Sequence, residues 1–360
     1  MENLYQTLDK KSVKPRLNGM EEFVIIEVRA RIISQEKGLY KILYEGQENW
    51  AEVSGKYRYE TTTVSDFPAV GDYVVASWPN DGSRSIISNL FPRKSVFIRK
   101  AAGTDNQEQV VAANIDTVFL CMSLNNDFNI RRLERYVALS WDSGATPVVV
   151  LTKTDLCKDV EAKISEVQSI ASGVDVITVS SKNNDFNAAN PYLVSGKTVA
   201  FLGSSGVGKS TLINKIIGED IIETAEIRED DKGRHTTTHR EQIMLKNCAC
   251  VIDTPGMREL GMWNNESGLN EVFSDIEELF LQCRFSDCTH TCEPGCAVLG
   301  AIKDGILSQD RWNSYQKLTA ENKYATNESE YIQEKRMKFK EIAKTNKLRN
   351  NKKYFPIGGD

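Results

Sequence analysis

The segment Gly203-Ser-Ser-Gly-Val-Gly-Lys-Ser210 constrains the fold of this chain more than any other feature. An apolar run over 198–202 precedes it, and apolar residues at helical spacing follow it over 211–217. A strand, a glycine-rich turn and a helix are the context that a phosphate-binding loop requires. Glycines let the backbone point its N–H groups at phosphate oxygens, and the helix N-terminus adds partial positive charge. The segment predicts an α/β nucleotide-binding domain, the alternative being an ordinary Gly/Ser turn.

Two side chains of this phosphate loop have specific expected roles. Lys209 is predicted to reach the β- and γ-phosphates and to stabilise charge during catalysis, and the Ser210 hydroxyl is predicted to ligate Mg²⁺. The whole loop is expected to contact the nucleotide, through Gly203, Ser204, Ser205, Gly206, Val207, Gly208, Lys209, Ser210 and Thr211.

A second acidic motif follows about fifty residues later. Cys250-Val-Ile-Asp253-Thr-Pro-Gly256 is an apolar strand that ends in a carboxylate. We expect Asp253 to hold Mg²⁺ through water and the Gly256 N–H to approach the γ-phosphate. Between the two motifs, residues 232–240 are polar and have no apolar period, as in a loop that a γ-phosphate orders. Either Thr237 or Thr238 is expected to complete the Mg²⁺ shell.

The tetrapeptide Thr152-Lys153-Thr154-Asp155 is a candidate for reading the base. A carboxylate at Asp155 accepts from both the ring N–H and the exocyclic amine of guanine, whereas adenine offers no such donor pair. Lys153 would lie along the base plane. A second strand, over 175–179, ends at Ser180 and Ser181, which we expect to contact the base through their backbone. The alternative is that the tetrapeptide merely caps a helix.

The order of these motifs is unusual. In an ordinary GTP-binding domain the base-reading motif follows the phosphate loop, but here it precedes it, and no motif after Ser210 has the required aspartate. Either the chain is not a GTPase or its domain is circularly permuted.

Four of the eight cysteines crowd together with a histidine between residues 283 and 296. Structural zinc requires four N or S ligands in a closed shell, and a short loop supplies them easily. The candidates are Cys283, Cys288, His290 and Cys296, with Cys292 as a fifth. Disulfides would need an oxidising compartment, and residues 1–5 have no signal-peptide pattern. The remaining cysteines, expected in the core, are Cys121, Cys157, Cys248 and Cys250.

Length and patterning suggest several domains. We expect an N-terminal extension at 1–21, a small barrel of short β-type runs at 22–100, the nucleotide domain at 105–265, and a metal-binding helical domain at 266–360. The barrel has five notable aromatic residues. We expect most of them to pack in its core or at its rim and one or two at most to touch RNA: Tyr40, Tyr44, Trp50, Tyr57 and Tyr59. No apolar run reaches the ~18 residues of a membrane helix.

Charge is distributed unevenly along the chain. Residues 335–353 contain nine Lys/Arg and one Glu, a net charge of +8 on a chain whose total is −5, so the remainder carries −13. A basic segment attached to an acidic body favours an arm that binds RNA phosphates. A solvated helix face is the alternative.

Taken together, the motifs resemble the circularly permuted GTPases of the ribosome-small-subunit-dependent GTPase A family, RsgA/YjeQ. The resemblance extends from about residue 22 to 320 and rests on the motifs above, with Gly233-Arg-His-Thr-Thr-Thr238, Pro92-Arg-Lys-Ser95, Arg99 and Ala113-Asn-Ile-Asp116. It implies an OB-fold barrel, a permuted GTPase domain, and one structural zinc ion on Cys283, Cys288, His290 and Cys296. Cys292 is then spare.

The resemblance also implies a function. A GTP phosphohydrolase of this family acts in late maturation of the small ribosomal subunit in the cytoplasm. It converts GTP to GDP and phosphate with Mg²⁺, is stimulated by the subunit and its rRNA, and is then released. We expect a monomer. Two alternatives are an RNA-binding scaffold with a decayed nucleotide site and a GTP-dependent chaperone that inserts metal.

Two positions depart from the usual GTPase pattern. Thr152 stands where asparagine normally supports the phosphate loop, and its hydroxyl is a partial substitute. Met257 stands where many GTPases have a glutamine that orients the attacking water. We hypothesise that His235 supplies that catalytic function, the alternative being a solvated loop histidine.

Overall fold

The computed structural model describes residues 11–13, 24–36, 38–100, 108–180, 182, 185–219, 241–253 and 267–323. Within these ranges the chain forms a β-barrel, an α/β sheet domain and a helical C-terminal segment.

The N-terminal part is a closed five-stranded barrel. Its strands run in the order β2-β3-β4-β6-β5, and β5 pairs again with β2. Alternate apolar side chains face inward, among them Ile32, Ile42 and Ile87, which have no exposed surface. Closure leaves no free edge between the first and last strands, as the turn-separated β-type runs predicted. The elements are β1 (Lys11–Val13), β2 (Val24–Glu36), β3 (Leu39–Tyr44), β4 (Gln47–Val53), α1 (Gly55–Glu60), β5 (Tyr73–Pro79) and β6 (Ser85–Leu90).

The central part begins with a hairpin and continues as an α/β domain. The hairpin pairs β7 (Val96–Lys100) with β8 (Glu108–Ala113), so the strand that ends at residue 100 pairs with the chain that follows it. The α/β elements are β9 (Thr117–Ser123), α2 (Ile130–Ser143), β10 (Thr146–Thr152), α3 (Val160–Ile170), β11 (Asp175–Thr178), β12 (Thr198–Leu202), α4 (Lys209–Ile217), β13 (Glu241–Met244) and β14 (Cys250–Asp253).

The strand order of this domain shows the permutation. In space the strands run β11-β10-β9-β12-β14-β13, and all neighbours are parallel except β13, which is antiparallel to β14. The strands that precede the phosphate loop in sequence lie on one side of β12, and those that follow it lie on the other. The carboxyl ends of β10, β12 and β14 therefore meet at one edge, where ligands bind in open α/β sheets.

Helices α5 (Ser267–Val272), α6 (Ser274–Phe280), α7 (Ala297–Lys303) and α8, over residues 309–323, form the C-terminal segment. They share a hydrophobic core with the sheet domain, in which Phe273 is fully buried. Gly268 lies so close to α2 that a Cβ there would come within 2.2 Å of the Ala138 carbonyl oxygen. The Arg311 guanidinium donates to the buried Glu134 carboxylate of α2 at 2.8 Å. Helix α2 is thus the platform for this segment.

Two motifs that carried the family resemblance build the junction between barrel and sheet. The Arg93 guanidinium donates to the buried Asp72 carboxylate at 2.7 Å and to two barrel carbonyls. Asn114, with φ 54°, donates to the Gly71 carbonyl and accepts from the Lys94 N–H. These residues position the two domains and lie outside the nucleotide motifs.

One cysteine differs from expectation, and the barrel tyrosines differ from one another in exposure. Cys248 is exposed because it lies in the turn between β13 and β14, so its assignment to the core was wrong. Tyr40 is 3% exposed, and burial raises the pKa of its hydroxyl to about 12, so it packs in the barrel core. Tyr59, by contrast, is 82% exposed.

Among the helices described, none has the length and apolar character needed to cross a bilayer.

Candidate nucleotide site and metal centre

The phosphate loop joins the end of β12 to the start of α4. Three of its glycines have positive φ, and Gly203 requires its lack of a side chain, since a Cβ would lie 2.5 Å from the Cys121 carbonyl oxygen. Gly208, with φ 99°, is the N-cap of α4, so the helix N-terminus faces the loop. Val207 is buried, whereas Ser205 and Gly206 are exposed. The loop is thus anchored from below and open at its rim, as a phosphate cradle requires.

Lys209 crosses this loop. Its Nζ donates to the carbonyl oxygens of Gly203, at 2.6 Å, and Ser204, at 2.5 Å, and the residue is only 9% exposed. The ammonium group therefore lies over the loop and within its curve. Ser210 and Thr211 begin the first turn of α4 directly behind it.

The base-reading motif begins at the last residue of β10, at the same edge of the sheet. The Thr152 hydroxyl donates to the Val207 carbonyl at 2.5 Å, joining this motif to the phosphate loop. Lys153 adopts a left-handed conformation, φ 55°, and Thr154 and Asp155 follow in a 3-10 turn. The Asp155 carboxylate accepts from the Ser180 hydroxyl at 3.3 Å. The structure therefore brings together the two segments that sequence analysis paired for the base.

Asp253 is the last residue of β14, next to the strand that leads into the phosphate loop. The register pairs Ala200 with Ile252, so Asp253 and the loop leave adjacent parallel strands at one edge. Carboxylate and hydroxyl oxygens are ligands that Mg²⁺ prefers, so Asp253 and Ser210 stay the candidate ligands at this edge.

A residue that sequence analysis missed also contacts this loop. Asp127 follows β9, and its Oδ2 accepts from the Ser204 hydroxyl at 2.6 Å. Partial burial opposes ionisation, but hydrogen bonds from Ser204 and Arg132 outweigh it and hold the pKa of Asp127 below its usual value. Asp127 belongs to no recognised motif. The only feature of the sequence that could have pointed to it as a site residue is its position between the end of a strand and the N-cap of α2.

The predicted cysteine and histidine ligands converge. Ligand atoms of Cys283, Cys288, His290 and Cys296 all lie within 4.8 Å of one another, and the His290 Nδ1 is 3.5 Å from the Cys283 Sγ. Zn–S bonds of ~2.3 Å give tetrahedral edges of about 3.8 Å, so a small contraction would close a metal shell. The exposed Cys292 is not in this group. The cluster is therefore able to bind one metal ion through a Cys₃His set.

Surrounding groups hold these ligands in place. The His290 ring stacks on Phe280 at 4.2 Å, and the Ala297 N–H donates to the Cys283 Sγ at 3.4 Å. The Glu293 carboxylate accepts from the backbone N–H groups of Thr289, Thr291 and Cys292. Hydrogen bonds from the Thr289 side chain and from the backbone N–H groups of Thr289 and Cys292 lower the pKa of Glu293. Such outer contacts fix ligand orientation.

Several predicted residues lie outside the described part of the chain. They are Ser181, His235, Thr237, Thr238, Gly256, Met257 and the basic segment 335–353.

The family description "RsgA GTPase" matches residues 90–263, which contain every nucleotide motif. A second description, "ABC transporter", matches residues 186–354, a range that includes the phosphate loop but not the base-reading motif. Phosphate loops occur in many NTPase classes, so this second match is explained by that one feature.

Relatives and solved structures agree with the first match. The chain is 50% identical over 300 residues, 83% of its length and 84% of the relative's, to "Small ribosomal subunit biogenesis GTPase RsgA 2" of Lactiplantibacillus plantarum. It is 44% identical to the RsgA of Methanosarcina acetivorans over 83% of this chain and 81% of that protein. Two crystal structures each align with this chain at TM-score 0.60. YjeQ from Thermotoga maritima is 26% identical, and the alignment covers 81% of this chain and 97% of that one. YloQ, "a circularly permuted GTPase", is 28% identical, and the alignment covers 82% of this chain and 95% of that one.

Fold and site together define a circularly permuted phosphate-loop GTPase with an N-terminal barrel. Within that class, the extent and identity of the matches place it in one family. The chain belongs to the RsgA GTPase family.

Proposed function

We propose that this protein binds GTP with Mg²⁺ at the edge formed by β10, β12 and β14, and hydrolyses it during late maturation of the small ribosomal subunit. The observation that carries the proposal is the convergence of Asp155, the phosphate loop and Asp253 at that edge despite their permuted order. Relatives named small ribosomal subunit biogenesis GTPases support the cellular role.

Each residue has a definite task in this scheme. Asp155 accepts from guanine, Lys153 lies along the base, and Ser180 orients the Asp155 carboxylate. Lys209 and the loop amides stabilise negative charge on the β- and γ-phosphates while water attacks the γ-phosphorus. His235 orients that water, and the Gly256 N–H contacts the γ-phosphate.

The residues present suit Mg²⁺. Ser210 and Asp253, with Thr237 or Thr238, would supply hydroxyl and carboxylate oxygens. When bound, the ion would neutralise negative charge on the phosphates.

At the C-terminus we propose one structural zinc ion held by Cys283, Cys288, His290 and Cys296. Thiolate and imidazole ligands favour zinc, and four protein ligands leave no open position for catalysis. The domain division at 22–100, 105–265 and 266–360 remains part of the proposal.

The protein's partners would be the small subunit, its rRNA and GTP or GDP, bound by a cytoplasmic monomer. The barrel and the basic segment 335–353 would contact RNA phosphates. Hydrolysis at the nucleotide site would then release the protein from the subunit.

Phosphate release from GTP and from ATP, with and without purified small subunits, tests the proposal. We expect hydrolysis of GTP only, stimulated by the subunit. Asp155→Asn is the specificity control: an amide accepts poorly from guanine but donates to the 2-carbonyl of xanthine, so this variant should lose GTP and accept XTP. Guanine-nucleotide binding without stimulated turnover would instead favour an RNA-binding scaffold.

A further inference from the structure

The Asp127 carboxylate lies beside the phosphate loop but belongs to none of the nucleotide motifs. It accepts the Ser204 hydroxyl at 2.6 Å across 77 positions of sequence. Ser204 is the second residue of the loop, so this bond holds the loop where the backbone leaves β12.

Neighbouring residues hold the Asp127 carboxylate in place independently of the phosphate loop. Arg132 forms an ion pair with Asp127 through Nη2 and Oδ1, at 3.0 Å. The Asn125 Oδ1 accepts the Asp127 N–H at 3.0 Å and the Ser123 hydroxyl at 2.8 Å. Arg132 also offsets the negative charge, so the carboxylate lies near a phosphate site with a cationic partner of its own.

Ser204 is held from two directions. Its hydroxyl donates to Asp127, and its carbonyl accepts from Lys209 Nζ at 2.5 Å. At the other end of the loop, Val207 is held by Thr152. The Asp127 contact therefore fixes the first half of the loop, and the Thr152 contact fixes the second.

We propose that Asp127 is a positioning residue for nucleotide binding, which acts through Ser204 to pre-organise the first half of the phosphate loop for the β-phosphate. The inference rests on the proposed function, since it assigns Asp127 to that site. Because the β-phosphate is common to GDP and GTP, a loop that is fixed in advance strengthens binding of both nucleotides equally. Uniform binding of this kind changes KM and leaves kcat almost unaltered.

The test is a double-mutant cycle with Asp127→Ala, Ser204→Ala and the double variant, using fluorescent GDP and GTP analogues. Each single variant should weaken both nucleotides about 10-fold, as expected for a hydrogen bond to a charged group. The double variant should be no weaker than either single one, since each removes the same bond. Subunit-stimulated kcat at saturating GTP should stay within about 2-fold of wild type while KM rises.

Two further variants separate positioning from a general loss of structure. Asp127→Asn keeps an acceptor oxygen and should restore most of the affinity. Asp175→Ala is the matched control. It removes a bond of similar type and length, in which the Tyr192 hydroxyl donates to the Asp175 carboxylate at 2.7 Å. Asp175 is the first residue of β11 and so lies at the edge of the sheet opposite to the nucleotide site. Its nucleotide affinity should equal that of wild type.

Three results would overturn the proposal: wild-type affinity in Asp127→Ala, single effects that multiply in the double variant, or affinity losses that Asp175→Ala reproduces. If the wild-type chain bound no guanine nucleotide, the proposed function would fail together with the inference. If wild type bound and hydrolysed GTP normally and the Asp127 variants had the same nucleotide affinity, only the role of Asp127 would be rejected and the proposed function would stand.

Discussion

The Thr152 hydroxyl donates a 2.5 Å hydrogen bond to the Val207 carbonyl, and both residues are almost completely buried. The first residue of the base-reading motif is thereby joined to the phosphate loop, although it is not the usual asparagine. Since the β-branched side chain has one strongly restricted χ1, the hydroxyl is held toward the loop at little entropic cost.

Replacing Thr152 with alanine should weaken GDP and GTP binding about 10-fold. The substitution leaves the buried Val207 carbonyl without this donor, which costs about 1–3 kcal/mol and loosens the loop. Equilibrium titration with a fluorescent nucleotide measures the effect. Thr152→Ser keeps the hydroxyl and should retain affinity, and Thr146→Ala, at the exposed start of the same strand, controls for position. Equal affinity in Thr152→Ala and wild type would show that the Thr152 hydroxyl does not hold the phosphate loop for nucleotide binding.

Removing one cysteine of the metal cluster should abolish metal binding, whereas removing its neighbour should not. Cys288→Ser takes away one of four converging ligand atoms, while Cys292→Ser changes an exposed thiol outside the group. Elemental analysis should find about one zinc per chain in wild type and Cys292→Ser, and much less in Cys288→Ser. Because metal binding energy is folding energy, Cys288→Ser should also be cleaved faster by protease within 281–307. Loss of metal from Cys292→Ser would instead place that thiol among the ligands.

Much of this architecture could be predicted from the sequence because its signals are local. The phosphate loop occupies eight consecutive residues, and the metal ligands fall within fourteen. Strand and helix periods around the loop are likewise set by neighbouring residues, so the permuted order follows once the motifs are recognised.

Contacts between distant segments were not predictable in this way. Ser204 and Asp127 are 77 positions apart, and Glu134 and Arg311 are 177 apart. Their meeting depends on which face of α2 packs against which later helix, and several registers of an amphipathic helix satisfy the same pattern. Local signals can also mislead. Cys248 lies in a turn between two apolar strands and is exposed, although its neighbours in sequence suggest that it is buried.

Replacing Asp142 with asparagine should stabilise the protein at neutral pH but not at acidic pH. Burial raises the pKa of Asp142 to about 6, well above the usual value of an aspartate, although hydrogen bonds from Gly268 and Ser267 oppose this rise. The folded state therefore binds the proton more readily, and stability from this group is lost as pH rises from about 4 to 6.

Urea unfolding of wild type and Asp142→Asn at several pH values measures this difference. The variant should be about 1 kcal/mol more stable above pH 6.5, after discounting for partial solvent screening, and equal to wild type near pH 4. Asn retains an oxygen that accepts the Gly268 N–H. Asp159→Asn, at the exposed N-cap of α3, corrects for the loss of one negative charge. A difference that does not vary with pH would contradict the expectation.

Two arginines that join the C-terminal helix to α2 should differ greatly in their contribution to stability. Arg311 pairs with Glu134, whose side chain has no exposed surface, whereas Arg135 pairs with Glu321 at a site where both side chains are about one-third exposed. Arg311→Met removes a charge partner from a buried carboxylate and should cost about 3 kcal/mol. Arg135→Met should cost less than ~1 kcal/mol, because exposed pairs contribute little.

Denaturant unfolding of both variants checks this, with Arg311→Met/Glu134→Leu as the decisive third protein. Removing both members of a buried pair is less harmful than removing one, since no uncompensated charge remains. The double variant should therefore recover part of the stability that Arg311→Met loses, provided that Arg131, which also donates to Glu134, reaches solvent in its absence. Equal losses in Arg311→Met and Arg135→Met would show that the buried pair does not hold the C-terminal helix against α2.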